Sequence, residues 1–236
     1  MLLNQLIDSP MFGIVITLLF FKLGTLLFHR WPWPIFNPLF FAMVSIIIFL
    51  LITGISFEAY DRGGQYFSLW VTPATVALAI RIEKNFAFLK RYYRLILVGS
   101  GSGILFHTVL ILLLGMLFDF NYELVASTFP KSITTAIAID VSQSIGGIVP
   151  LTVALVLITG IFGGVIGPTL FKLFNITDPV AQGVALGTAA HAVGTSKAIE
   201  LGDIQAAMAS LSIAVAGLTV VALSPVVLPL MEFFFL

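Results

Sequence analysis

The sequence predicts an all-α polytopic membrane protein with about six to eight membrane passages, internal repeats and short broken or re-entrant helices. Three observations carry that prediction. Of the 236 residues, 59% are hydrophobic and only 9% charged, and the mean hydropathy is +1.12, whereas an ordinary soluble domain carries about 25% charged residues. Several windows approach the roughly 20 apolar residues that a membrane helix needs, and charged or Pro/Gly-rich breaks separate them. Finally, the stretch between Phe129 and Gly202 is oily yet rich in hydroxyls and glycines. A lipid-facing helix has no use for such groups, so this polarity faces a cavity or a neighbouring helix.

The first window covers residues 11–28 and ends at His29, Arg30 and a WPWP turn. Asp8 precedes it, and it lacks a basic leading region and an A-x-A-like cleavage site, so it reads as a retained helix. The second window, 35–55, ends in a polar loop over 58–65. A shorter segment, 66–82, holds Thr72, Pro73 and Thr75, with its helix broken near the proline. A basic loop follows with Arg81, Lys84, Lys90, Arg91 and Arg94 against Glu83. Such an excess marks the cytoplasmic side and, counting back, puts the N-terminus outside.

A long helix over 92–118 contains GSGSG, and a short polar-laced helix over 124–144 comes next. An apolar stretch then runs to Phe174 and includes GIFGGVIGP; 180–199 is a short, small-residue helix around His191; and 205–235 is the last span. The short segments either cross or re-enter. The whole chain, 1–236, reads as a single transmembrane domain with N-terminal helices over 1–65, a first repeat over 66–123, a second over 124–180 and C-terminal helices over 181–236.

The repeat emerges when Thr72 to Ile80 is laid on Lys131 to Ile139. Thr75 then matches Thr134, Ala77 matches Ala136 and Ala79 matches Ala138, and the same offset carries Ser100-Gly101 onto Thr159-Gly160. Chance similarity within a small membrane alphabet is the competing explanation. Transporters are often built from such repeats, with broken helices forming the site near mid-membrane. Two full crossings between matched points make the repeat parallel; a re-entrant segment inverts it.

Composition also excludes. Eleven basic and eleven acidic residues balance, leaving no electrostatic footprint for nucleic acid. There is no cysteine, hence no disulfide, thiolate metal site or Cys nucleophile. No metal-spaced histidine cluster, cofactor motif or Ser/His/Asp order is evident, so no enzyme is expected. The glycine runs read as helix-packing surfaces, since neither carries the lysine of a phosphate loop.

On one helix over 124–144, Thr128, Lys131, Thr135 and Ser142 would share a face, presenting three hydroxyls and an ammonium. A helix N-terminus near Pro130 would add free N–H groups, which also suit a carboxylate. The alternative is that Lys131 snorkels to the surface while the hydroxyls bond their own helix. Farther on, Thr188, His191 and Thr195 would share a face beside Gly187 and Gly194. His191 would donate to an anion, relay a proton or simply bridge two helices. Lys197 and Glu200 read as an ion pair near a helix end, the alternative being that Lys197 adds positive potential to the same cavity. Asp140 is the other intramembrane candidate or, at a helix end, marks the interface.

PATVALA (Pro73 to Ala79), FPKSITTAIAI (Phe129 to Ile139), SIGG (Ser144 to Gly147) and GTAAHAVGTSKAIELG (Gly187 to Gly202) resemble the LrgB/CidB family over nearly the whole chain. The resemblance implies a multi-pass protein of the bacterial inner membrane with antiholin-like control of murein hydrolases and autolysis, working with a small LrgA/CidA-like membrane partner. It also implies transport of small monocarboxylates, since relatives include a plastid glycolate/glycerate translocator and proteins tied to pyruvate uptake. The family's motif positions fall on Lys131, Ser132, Thr134, Thr135, His191, Gly194 and Thr195, taken here as the substrate-binding set. Thr75, Thr128, Asp140, Thr188 and Lys197 are secondary candidates. Where relatives commonly carry proline after PKS-x-TT, this chain has Ala136. The expected function is therefore transport of pyruvate, glycolate or glycerate-like acids by a homo-oligomer in the bilayer. The alternative is a holin/antiholin-like assembly that regulates permeability without a specific substrate.

Overall fold

The computed structural model describes residues 7–31, 33, 36–70, 73, 76, 83 and 86–236. Among them all regular structure is helical: α1 (Pro10–Arg30), α2 (Pro38–Thr53), α3 (Phe57–Ser68), α4 (Phe86–Leu117), α5 (Tyr122–Thr128), α6 (Thr135–Ser144), α7 (Val149–Leu173), α8 (Pro179–Leu201) and α9 (Asp203–Phe235). Helices α1, α4, α7 and α9 are long and apolar enough to span a membrane. The chain is an all-helical membrane protein. Most of the 66–82 segment, with Thr75, lies outside the described residues, as do Arg81 and Lys84.

The chain divides into two compact units, Met1–Val76 and Ala77–Leu236. In the first, Ser9 caps α1 by accepting from the Met11 N–H, with Pro10 opening the helix. Asn37 caps α2, which ends at Gly54 with φ 68°. The expected polar loop over 58–65 is instead the helix α3, started by Ser56 accepting from the Ala59 N–H. Packing explains why it forms. Gly13 of α1 meets Gly63 of α3 so closely that a Cβ on Gly13 would lie 3.0 Å from the Gly63 Cα. A Thr17–Tyr60 hydroxyl pair at 2.9 Å and the exposed Arg62–Asp8 ion pair at 3.0 Å join the same two segments.

The second unit is built around α4 and α9. The buried positions of α4 are Ile96, Ser100, Ile104, Thr108, Ile111 and Gly115, one stripe at helical spacing. Toward its start it packs with the cluster of Ile96, Val184, Met208 and Leu211. At its far end Gly115 lies against Phe235 and Val125. Residues 96 and 115 thus meet the beginning and the end of α9, so α4 and α9 run parallel.

Residues 124–144 do not form one helix. Helix α5 stops at Thr128 because Pro130 has no N–H and its ring crowds the preceding turn. The chain crosses 129–134 in tight turns, with the Lys131 N–H on the Thr128 carbonyl at 3.2 Å and the Ile133 N–H on the Pro130 carbonyl at 3.4 Å. It then starts again as α6 from Thr134. The two arms fold back on each other. Tyr122 donates its hydroxyl to the Ile145 carbonyl at 2.8 Å; deeper in, the Ile148 N–H donates to Ser127 Oγ at 2.7 Å. Thr152 Oγ1 donates to the Ser127 carbonyl at 3.0 Å and pairs with Ser142 Oγ at 2.7 Å. This is a helical hairpin with its tip at 129–134.

Helix α8 is a second hairpin. His191 takes φ 38° and ψ −123°, and Gly194 lies against the carbonyl of Leu186, eight residues back. A straight helix would hold those positions about 12 Å apart. The neighbours agree: Gly183 packs on Gln205 and Met208, and Gly187 on the Ala209 backbone, so the first arm of α8 runs parallel to α9. Two consecutive helices joined only through Gly202 run parallel when the arm over 192–201 returns toward Pro179. Glycines of α7 accept the turn, with Gly160 facing His191, Gly163 facing Ala190 and Gly164 facing Val193. The expected packing role of the GIFGGVIG run is met here.

The first hairpin has its mouth where α4 and α9 end, and the second where they begin. Their tips point toward each other. Phe129, Ile133, Val125, Val156, Ala216 and Val220 close the core around the first hairpin, while Leu105, Phe106, Phe162 and Leu218 face outward. That outward apolar surface suits hydrocarbon rather than water.

Candidate functional site

The helices leave a cavity of about 530 Å³ between α4 and α7, reaching inward to both hairpins. Its polar lining is His107 from α4, Lys131 and Ser132 from the first tip, Thr159 from α7 and Thr188 from α8. Ile104, Leu110, Ile158 and the exposed rim residues Phe106 and Phe162 supply the apolar wall. The volume falls within the usual range for small-molecule sites.

Each polar group is there for a local reason. Lys131 and Ser132 reach the cavity because Pro130 ends α5 at mid-depth, which frees two residues from the helical ladder. Thr188 is buried on the first arm of α8 and pairs its hydroxyl with Ser100 Oγ at 2.9 Å, fixing α8 to α4. Gly103 leaves the space on α4 into which the Thr188 methyl fits; an added Cβ would meet it at 3.2 Å. His107 stands one turn farther along α4.

Among the described residues, Lys131 is the one charged side chain on the wall. It is half-buried, and no carboxylate pairs with it; the two ion pairs among the described residues are Arg62–Asp8 and Lys197–Glu200. An ammonium in a low-dielectric site attracts an anion far more strongly than it would in water. Beside it, the α6 N-terminus begins at Thr134 without a side-chain cap. The helix end expected near Pro130 therefore lies four residues later.

The candidate residues now separate by place. Lys131, Ser132 and Thr188 share the cavity wall. Thr134 and Thr135 sit at the start of α6 and are not part of the cavity lining. The continuous face of Thr128, Lys131, Thr135 and Ser142 does not exist, because the hairpin interrupts it; Thr128 Oγ1 donates to the Leu124 carbonyl at 2.7 Å instead. The shared face of Thr188, His191 and Thr195 is broken by the bend. His191, buried, places Nε2 3.0 Å from the Val156 carbonyl and so ties the second tip to α7. Thr195 Oγ1 donates to the His191 carbonyl at 3.0 Å, and Gly194 packs on the first arm. These three build the second tip. Asp140 is exposed, and Lys197 is paired with Glu200 at 2.6 Å as expected.

Sequence reasoning missed His107 and Thr159 as wall residues. The signal for His107 was present: an ionisable side chain within an apolar helix, the same argument that singled out His191. Thr159 gave no signal beyond its match to Ser100. Among the described residues no group of three or more His, Cys, Asp or Glu is placed to hold a metal ion.

Comparison with known proteins agrees with the helical membrane architecture. The LrgB-like family matches residues 17–230. The antiholin-like protein LrgB of Bacillus mycoides is 38% identical over 222 residues, covering 94% of this chain and 96% of the relative. The antiholin-like LrgB proteins of Bacillus cereus and Bacillus anthracis are 37% identical with the same coverage. No solved structure matches the chain. With the family pattern spanning almost its entire length, the chain belongs to the LrgB-like family.

Proposed function

We propose that the protein is a membrane transporter of small monocarboxylates of the pyruvate, glycolate and glycerate class. The observation that carries this reading is the unpaired Lys131 on the wall of a mid-depth cavity, at the tip of one hairpin and opposite a second that enters from the other end. An anchor or a packing device has no need of a half-buried, uncompensated ammonium deep in an apolar bundle, which is costly unless an anion meets it. The carboxylate lies on Lys131 and Ser132, and His191 with Thr195 shapes the second tip rather than touching substrate.

The hairpins suggest how access alternates. Two of the long helices are each followed by a hairpin, α4 by α5–α6 and α7 by α8, and the opposite mouths support an inverted repeat around a central site. Tip residues Lys131 and His191 stand 60 positions apart, close to the offset of the sequence repeat. Both hairpins are re-entrant, and movement of either tip opens the cavity to one side. The basic collar of Lys90, Arg91 and Arg94 with Tyr92 and Tyr93 at the start of α4 supports a cytoplasmic side for the mouth of the α8 hairpin.

Relatives named antiholin-like favour a second role, control of murein hydrolases and lysis, exerted alone or with a small LrgA/CidA-like partner and as a homo-oligomer. The two readings are compatible if metabolite flux sets the lytic response. A reconstitution experiment separates them: purified protein in proteoliposomes takes up labelled pyruvate or glycolate saturably if it is a transporter. Non-saturable leakage of unrelated solutes instead favours a holin-like assembly.

A further inference from the structure

His107 is the polar wall residue that the carboxylate-binding scheme leaves without work. Its ring lines the cavity, yet both nitrogens are covered by neighbouring atoms, and neither has a hydrogen-bond partner among the described residues. Thr108, the next residue, bonds its hydroxyl back to the Ile104 carbonyl at 2.8 Å, so local backbone bonding is satisfied around a side chain that is not. An imidazole always carries at least one N–H, and a buried donor without a partner is a cost that native structures seldom keep. The torsion that turns the ring is broad, so a small rotation presents a nitrogen to the cavity.

We propose that His107 is a substrate-binding residue that donates its N–H to the oxygen on the carbon beside the carboxylate, selecting 2-oxo and 2-hydroxy acids over plain carboxylates. The assignment rests on the transport reading above. Lys131 and Ser132 hold the carboxylate from the first hairpin, and His107 reaches the same cavity from α4, a separate element. A substrate with a second oxygen satisfies both sides. A substrate with a methylene there leaves the His107 donor unpaired, and a site with a stranded buried donor discriminates strongly.

The test compares pyruvate with propionate in proteoliposomes for the wild type, His107→Leu and His107→Gln, with thermal melting of each to confirm folding. The wild type prefers pyruvate in kcat/KM by about 10- to 100-fold. His107→Leu collapses that preference to within about threefold, chiefly through a raised KM for pyruvate while propionate uptake persists, and His107→Gln, which keeps a donor, restores most of it. Equal wild-type uptake of the two acids, or full preference in a folded His107→Leu protein, overturns the assignment and leaves the transport reading standing. If His107→Leu does not fold, the wild-type preference and the His107→Gln protein decide. Wild-type protein that takes up neither acid overturns both.

Discussion

Removing the charge of Lys131 while keeping its stem should weaken anion binding without unfolding the protein. Lys131→Met preserves the length that runs along the cavity wall, and because no acidic side chain pairs with Lys131 among the described residues, the substitution strands no partner there. What is lost is one charge-assisted contact to a bound carboxylate. Such contacts are worth about 1.5–3 kcal/mol, which at 1.36 kcal/mol per decade corresponds to about 10- to 150-fold in affinity. Saturable uptake of labelled pyruvate into proteoliposomes reads this directly as KM, and Lys131→Arg, which keeps the charge, should fall between the two. A Lys131→Met protein whose KM stays within twofold of wild type refutes the placement of the carboxylate on this residue.

Other consequences are independent of the substrate. A Cβ at Gly187 would drive into the Ala209 backbone, whereas one at Gly101 meets nothing within 4 Å; Gly187→Val should lower the melting temperature sharply in detergent and Gly101→Ala should leave it nearly unchanged. His191 holds a positive φ and a bond to the Val156 carbonyl, so His191→Val should cost about 1–3 kcal/mol of stability and His191→Asn less, as read by thermal unfolding. The opposite mouths of the hairpins predict that Asn121→Cys and Asp178→Cys react with an impermeant maleimide from opposite faces of the membrane; labelling from the same face breaks the inverted arrangement. The chain has no native cysteine, so each label is unambiguous.

Much of this architecture was legible in the sequence because its signals are local. Hydropathy over about 20 residues marks α1, α4, α7 and α9, whereas the caps at Ser9, Asn37 and Asp178 emerge only in the structure. The hairpins were not legible in the same way. Pro130 marks a break but not which way the chain leaves it, and around His191 the glycines Gly187 and Gly194 permit a local break without specifying a fold-back. The fold-back there is imposed by packing against Gly160, Gly163 and Gly164 of α7, a tertiary effect. Lys131, Ser132 and Thr188 were found because polarity in an apolar segment needs a reason. His107 stands alone in an apolar helix with no motif around it, so the sequence gives it less specific a signal than Lys131 or His191. The polar run over 58–65 suggests a loop, but Gly63 allows α3 to cross α1 closely enough to hold it as a helix.

The most direct measurement of the central claim uses the absence of cysteine once more. Ser132→Cys puts a thiol on the cavity wall beside Lys131, and its rate of reaction with a small thiol reagent reports occupancy of the site. Saturating pyruvate should slow that reaction at least severalfold while sodium chloride at equal ionic strength does not. A labelling rate unchanged by pyruvate, glycolate and glycerate would contradict a monocarboxylate site in this cavity.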